Sequence, residues 1–158
     1  MRIGRALLLL FAFDGIGAAQ GPEKRDAELP ANLTTQVQRL GCVILGREGP
    51  NVIRGEFGQQ RISDWAILCS KARVTTLLVF WGGSGLGPAE LWKTFDGDGQ
   101  HLSSRRILPV DKKYIAAHCE SANGKLPLID HQGILDGFND SVVHYYYQGK
   151  WLHLMVAR

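Results

Sequence analysis

The chain has 158 residues, 45% of them hydrophobic and 21% charged, with a formal net charge of +3 at neutral pH. These are globular values, which exclude an intrinsically disordered chain and leave one ordinary domain able to bury a core. The basic residues are scattered, the densest pairs being Arg105-Arg106 and Lys112-Lys113, so there is no basic stripe for nucleic acid and no lysine-rich helix for a membrane surface.

Residues 1–19 read as a signal peptide. Arg2 and Arg5 form a basic head, Ala6 to Phe13 (ALLLLFAF) an apolar core, and Gly17-Ala18-Ala19 offers small residues for cleavage, with Asp14 departing from the pattern. The apolar run falls short of the roughly 20 residues that a membrane span needs. The expectation is an exported, soluble protein, periplasmic or extracellular, with no stable membrane insertion after cleavage. Residues 20–28 read as a flexible leader, and residues 29–158 as a single β-rich domain.

Within that domain, Leu29, Leu33, Val37 and Leu40 are spaced by four, four and three, which is one face of a helix, with Pro30 in the first turn and Gly41 at the C-cap. Strands are predicted at Asn51–Phe57, Asp64–Ser70 and Val74–Trp81. The middle one is so uniformly apolar that both of its faces are expected to be covered. Gly82-Gly83-Ser84-Gly85 ends the third strand, and Glu90–Phe95 forms a further one before the turn Asp96-Gly97-Asp98-Gly99. Arg106–Val110 and Tyr114–His118 are compatible with strands or a short helix. Leu126–Asp130 is apolar and then turns at His131-Gln132-Gly133. Ser141–Tyr147 and Trp151–Val156, joined by Gln148-Gly149-Lys150, form a hairpin. The predicted fold is mainly β (α+β): one N-terminal helix packed on a largely antiparallel sheet of five to seven strands. No βαβ rhythm is present.

The segment Asn51 to Gly83 resembles one blade unit of the FG-GAP/VCBS type of secreted β-propeller, through Gly55-Glu56-Phe57, Asp64-Trp65-Ala66-Ile67 and Leu77-Leu78-Val79-Phe80. The resemblance implies a local hairpin. The family's acidic, calcium-holding loop is replaced by Gly58-Gln59-Gln60-Arg61-Ile62-Ser63, which lacks a carboxylate. A single unit also cannot close a propeller of about 4–8 blades. More broadly, the chain is similar to small exported bacterial proteins, a likeness that lends no activity.

Export makes a disulfide the natural state for two of Cys42, Cys69 and Cys119. Three pairings are open. Cys42–Cys69 is favoured because it would tie the N-terminal helix to an inner strand, and three small buried thiols are the alternative. Asp96 and Asp98 begin like a calcium loop, but His101 and Ile107 stand where that loop needs Gly and Glu, so neither metal nor cofactor is expected.

Asp130, His131, Asp136 and Asp140 gather carboxylates and an imidazole in a short span, a set suited to general acid–base work or a metal, though set among loop-like glycines. His118-Cys119 is not a nucleophile–base pair, since strand neighbours point to opposite faces. Lipase-type elbows, zinc-protease motifs, P-loops and dinucleotide fingerprints are all missing. Tyr145 and Tyr147 share one strand face and, with Trp151, are the candidate binding residues, Tyr146 facing the other way. Trp65 and Trp81 are expected in the core. The favoured function is an exported β-rich module binding a protein or small ligand. The alternative is a small secreted hydrolase or metal-dependent enzyme using Asp130, His131 and Asp136, with His118 as a further member.

Overall fold

The structure is a computed structural model that describes residues 28–45, 51–82, 87–95, 105–121, 124–137 and 142–157. The signal-like segment, the Asp96–Gly99 turn and Asp140 lie outside the described residues.

Helix α1 spans Ala31–Arg39, with Pro30 as N-cap and Leu33 and Val37 as its buried stripe. Gly41, at φ 67°, is the left-handed residue that ends it. Its N–H bonds the Gln38 carbonyl at 2.9 Å, and the Cys42 N–H bonds the Val37 carbonyl at 3.2 Å, which together make a Schellman motif. This turn aims Cys42 at the sheet. Cys42 and Cys69 are disulfide-bonded, with Cα atoms 5.6 Å apart, which anchors α1 across 27 residues of chain.

The first sheet contains β1 (Val43–Ile44), β2 (Val52–Gly55), β3 (Asp64–Lys71), β4 (Val74–Phe80) and β5 (Ala89–Phe95), all antiparallel. β1 and β2 share one edge of β3, and β4 and β5 follow on the other side. β3 and β4 are joined through Ala72 and Arg73, both at positive φ. That conformation matches the twist of a two-residue hairpin, although neither residue is a customary turn former.

The second sheet has the order β6–β8–β9–β10–β7, from β6 (Ile107–Val110), β7 (Cys119–Glu120), β8 (Gly133–Asp136), β9 (Val142–Tyr147) and β10 (Lys150–Val156). β9 and β10 turn at Gln148 and Gly149, both at positive φ, as the hairpin signal predicts. Helix α2 (Lys112–His118) is capped by Asp111, whose carboxylate accepts from the Tyr114 N–H at 2.8 Å.

Packing stacks these elements in four layers. Leu33 and Val37 of α1 press on Val52, Trp65, Ile67, Cys69, Leu78 and Phe80, the outer face of the first sheet. Its inner face, with Ile53, Ala66, Leu68, Leu77 and Val79, meets Ile107 and Ile134 of the second sheet. The outer face of the second sheet (Val143, Tyr145, Leu154) is covered by Ile115 of α2 and by Leu126 and Ile129. β3 is therefore buried on both sides, as its uninterrupted apolar run requires. Full burial of side chains such as Leu33 and Val37 stabilises by roughly 1.5–3 kcal/mol each.

Two expectations are corrected. The strands divide into two five-stranded sheets, not one sheet of five to seven. A second helix, α2, accompanies the N-terminal one. Three strands fall outside those predicted, the two-residue β1 and β7 and the longer β8, whose glycines give it the composition of a loop. Gly133 is there for a steric reason: a Cβ on it would lie 2.6 Å from Val143 Cγ1 and 3.1 Å from Ile115 Cδ1. Among the described residues, no helix is long and apolar enough to cross a membrane.

Candidate functional site

Strand alternation sorts the β9–β10 hairpin into two sets. Val143, Tyr145, Leu152 and Leu154 face outward beneath α2, while Tyr146, His144, Trp151 and His153 face the first sheet. The register pairs Tyr146 with Trp151 and His144 with His153. Two pockets open along this inner face.

The first is an aromatic cleft of about 360 Å³, lined by Gly58, Gln59, Ile62, Asp64, Trp81, Gly82 and Tyr146. Trp81 follows β4 directly and stacks on Trp151, with centroids 5.5 Å apart and planes 20° apart. Tyr146 tilts against Trp81 at 4.9 Å and against Trp151 at 5.2 Å. The frame of the cleft is Asp64, only 1% exposed. Its Oδ2 accepts from the N–H groups of Phe57 (3.0 Å) and Gly58 (2.8 Å), and its Oδ1 from that of Gly82 (2.7 Å). One carboxylate thus satisfies three backbone donors from both rims. Gly58 must be glycine here, since a Cβ would approach Trp81 Cζ3 to 2.8 Å.

The second pocket, of about 310 Å³, is lined by Trp92, Arg105, Asp136, Val142, His144 and His153. His144 is buried, and its Nδ1 lies 2.9 Å from His153 Nδ1, with the rings nearly perpendicular. Its Nε2 lies 3.8 Å from Asp136 Oδ2. The Arg105 guanidinium sits over the Trp92 ring at 4.5 Å. Burial, and then the neighbouring His144, hold His153 below the ordinary histidine range.

The sequence candidates divide between the layers. Asp130 and His131 precede β8 and serve the outer face. Asp130 Oδ1 accepts from the Tyr145 hydroxyl at 3.0 Å, and the Asp130 N–H donates to that hydroxyl at 3.0 Å. His131 stacks on the Tyr145 ring at 4.4 Å, and its ring nitrogens face the carbonyls of Gln132 (2.9 Å) and Tyr146 (2.8 Å). Asp136, at the far end of β8, faces inward to His144. Asp130 and His131 are thus not brought together with Asp136, because a strand runs between them. His118 ends α2 and tilts against Tyr114, with ring centroids 4.7 Å apart.

Of the binding candidates, Tyr145 is fully buried, with burial and Asp130 raising its hydroxyl above the usual tyrosine range. Tyr147 packs half-buried under α2, and only Trp151 joins the aromatic cluster. The residue that sequence reasoning set aside, Tyr146, lines the cleft. Trp65 is core as expected, whereas Trp81 is half-buried at the cleft. His144 and His153 were missed, although alternation in SVVHYYY and WLHLMV was the available signal. Cys119 is a buried free thiol, pushed up by burial, and so is held as the unreactive neutral form. Among the described residues, no group of three or more His, Cys, Asp or Glu side chains is arranged to hold a metal ion.

No protein-family model, curated protein or solved structure matches this chain.

Proposed function

We propose that the protein is an exported β-sandwich binding module whose ligand enters the cleft at Trp81 and Tyr146. One observation carries this reading: Trp81, Tyr146 and Trp151 form a ring cluster at the edge of the inter-sheet space, beside a cleft whose rims are fixed by Asp64. Rings held in place lose little entropy on binding and offer broad amphipathic contact. The cleft is of the size that takes a small molecule or one side chain of a partner. Its lining is largely apolar, with the Gln59 amide and backbone groups as polar partners, which favours an aromatic or aliphatic group carrying few hydrogen-bonding atoms.

Export rests on the Arg2–Ala19 pattern and is supported by the Cys42–Cys69 disulfide, since such bonds persist in oxidising compartments. A fusion of residues 1–28 to alkaline phosphatase tests it: activity outside the cytoplasm is expected, and cytoplasmic retention refutes export. Binding is tested by amide NMR with indole and N-acetyl-phenylalaninamide as probes. The reading predicts shifts at the Gly58 and Gly82 amides that Trp81→Ala abolishes. Shifts unaffected by that substitution, or none at millimolar probe, refute it.

A further inference from the structure

We infer that Asp136, His144 and His153 form a proton relay that arms His153 Nε2 as the general base for hydrolysis of an anionic phosphodiester. The inference is independent of the aromatic cleft. Two imidazole nitrogens 2.9 Å apart need one donor and one acceptor between them. The buried Nε2 of His144 faces the Asp136 carboxylate, so the favoured tautomer places its proton there, toward the negative charge. His144 Nδ1 is then a bare acceptor, and His153 must donate from its own Nδ1. The lone pair left over is His153 Nε2, on the exposed member of the pair. That order, carboxylate to imidazole to reactive group, is the logic by which a buried acid orients and supports a catalytic base. The separation of 3.8 Å between Asp136 and His144 suits a site that tightens when occupied.

A second observation points to a ligand. Asp136 Oδ1 and the Trp92 indole N–H are buried without a hydrogen-bond partner, His144 Nε2 has only the Asp136 carboxylate 3.8 Å away, and all three residues line this one pocket. Buried polar groups are rarely left so in a finished structure. The donors identify the class: the indole N–H, the Arg105 guanidinium and, after proton uptake, the histidine pair all suit an anion. The charged groups facing His153 are Asp136 behind His144, and Arg105 beside Trp92. In the reaction, His153 Nε2 takes a proton from water as the water oxygen bonds to phosphorus. The P–O bond to the leaving oxygen breaks and that oxygen is protonated by solvent. The imidazolium then returns its proton to solvent, leaving a phosphomonoester and an alcohol.

Hydrolysis of bis(p-nitrophenyl) phosphate by the full chain, followed as nitrophenol release across pH, is the test. Turnover is expected to rise as His153 loses its proton and then level off. His153→Gln should lower it by at least about 100-fold with the melting temperature retained. Asp136→Asn, acting through His144, should lower it about 10-fold or more and move the pH limb to lower values. The same rate for His153→Gln and wild type, or no turnover above buffer at any pH, overturns the assignment. Imidazole 15N spectra give a check that needs no substrate. They should show His144 protonated at Nε2 and His153 at Nδ1, and the reverse pattern overturns the relay.

Discussion

Asp64→Asn is the substitution with the clearest physical consequence, because it changes one atom in a buried carboxylate that accepts three backbone N–H groups. The amide has only one acceptor. If its oxygen stays with Phe57 and Gly58, its NH2 group faces the Gly82 N–H, and two donors confront each other in a residue that is 1% exposed. A hydrogen bond to a charged acceptor contributes about 1.5–3 kcal/mol, so the lost Gly82 bond and the weakening of the other two together predict about 3 kcal/mol. For a chain of this length that is a fall in Tm of about 6–12 °C. Urea unfolding followed by far-UV circular dichroism should show the midpoint fall with an unchanged m-value. Asp64→Ala should cost more, since all three donors lose their partner. Gly58 and Gly82 form the rims of the aromatic cleft, so probe binding should weaken in parallel. A loss under about 1 kcal/mol would refute the view that this carboxylate clamps the rims, since a single hydrogen bond contributes that much.

Tyr145→Phe removes a hydroxyl bonded to Asp130 and Leu128, and should cost about 1–2 kcal/mol in chemical denaturation while leaving probe binding at the cleft unchanged. Gly58→Ala should displace Trp81 and alter both its fluorescence and cleft binding, the opposite separation of effects. Opening the Cys42–Cys69 bond by serine substitution frees a 27-residue span and should cost about 3.5 kcal/mol on chain entropy. The His153 shift gives a pH dependence with a definite sign. Its folded value lies below the ordinary 6.5, so on acidification the unfolded chain takes up the proton first. Stability should therefore fall as pH drops below about 6.5 toward the folded value, and His153→Gln should flatten that part of a Tm-against-pH curve. A profile unchanged by the substitution would contradict the downward shift that partial desolvation and His144 impose on this ring.

The parts legible from sequence are those fixed by local chemistry. The four-four-three spacing of Leu29 to Leu40 and the Gly41 cap specify α1. The apolar run of Asp64–Ser70 specifies a strand covered on both faces, and Gln148-Gly149 specifies the hairpin. What the pattern does not carry is which sheet a strand joins, because that depends on contacts between residues far apart in the chain. β8 shows the difficulty. Gly-Ile-Leu-Asp flanked by glycine has loop composition, yet its glycine is demanded by the approach of Val143 and Ile115 from other elements. Without β8, Asp130 and Asp136 look like one cluster, whereas in the structure a strand lies between them.

The face that carries the two pockets follows from where the second sheet puts its hydrophobic load. In a two-sheet sandwich the facing surfaces normally supply the apolar core. Here β9 and β10 send Val143, Tyr145, Leu152 and Leu154 the other way, under α2 and the Leu126–Ile129 segment, so that outer face has its own core. On the inner face of the second sheet Ile107 and Ile134, from β6 and β8, supply the buried aliphatic core with Trp151 packed against them, and β9 and β10 add Tyr146, His144 and His153. Burying His144 against Asp136 and His153 costs desolvation that an aliphatic pair would not incur. A fold that needed only stability would place valine or leucine there, as it does on the opposite face. Replacing His144 and His153 together by a packed aliphatic pair should therefore raise Tm while abolishing phosphodiester turnover. A double variant that is less stable than wild type would mean that the histidines serve the fold and not the chemistry.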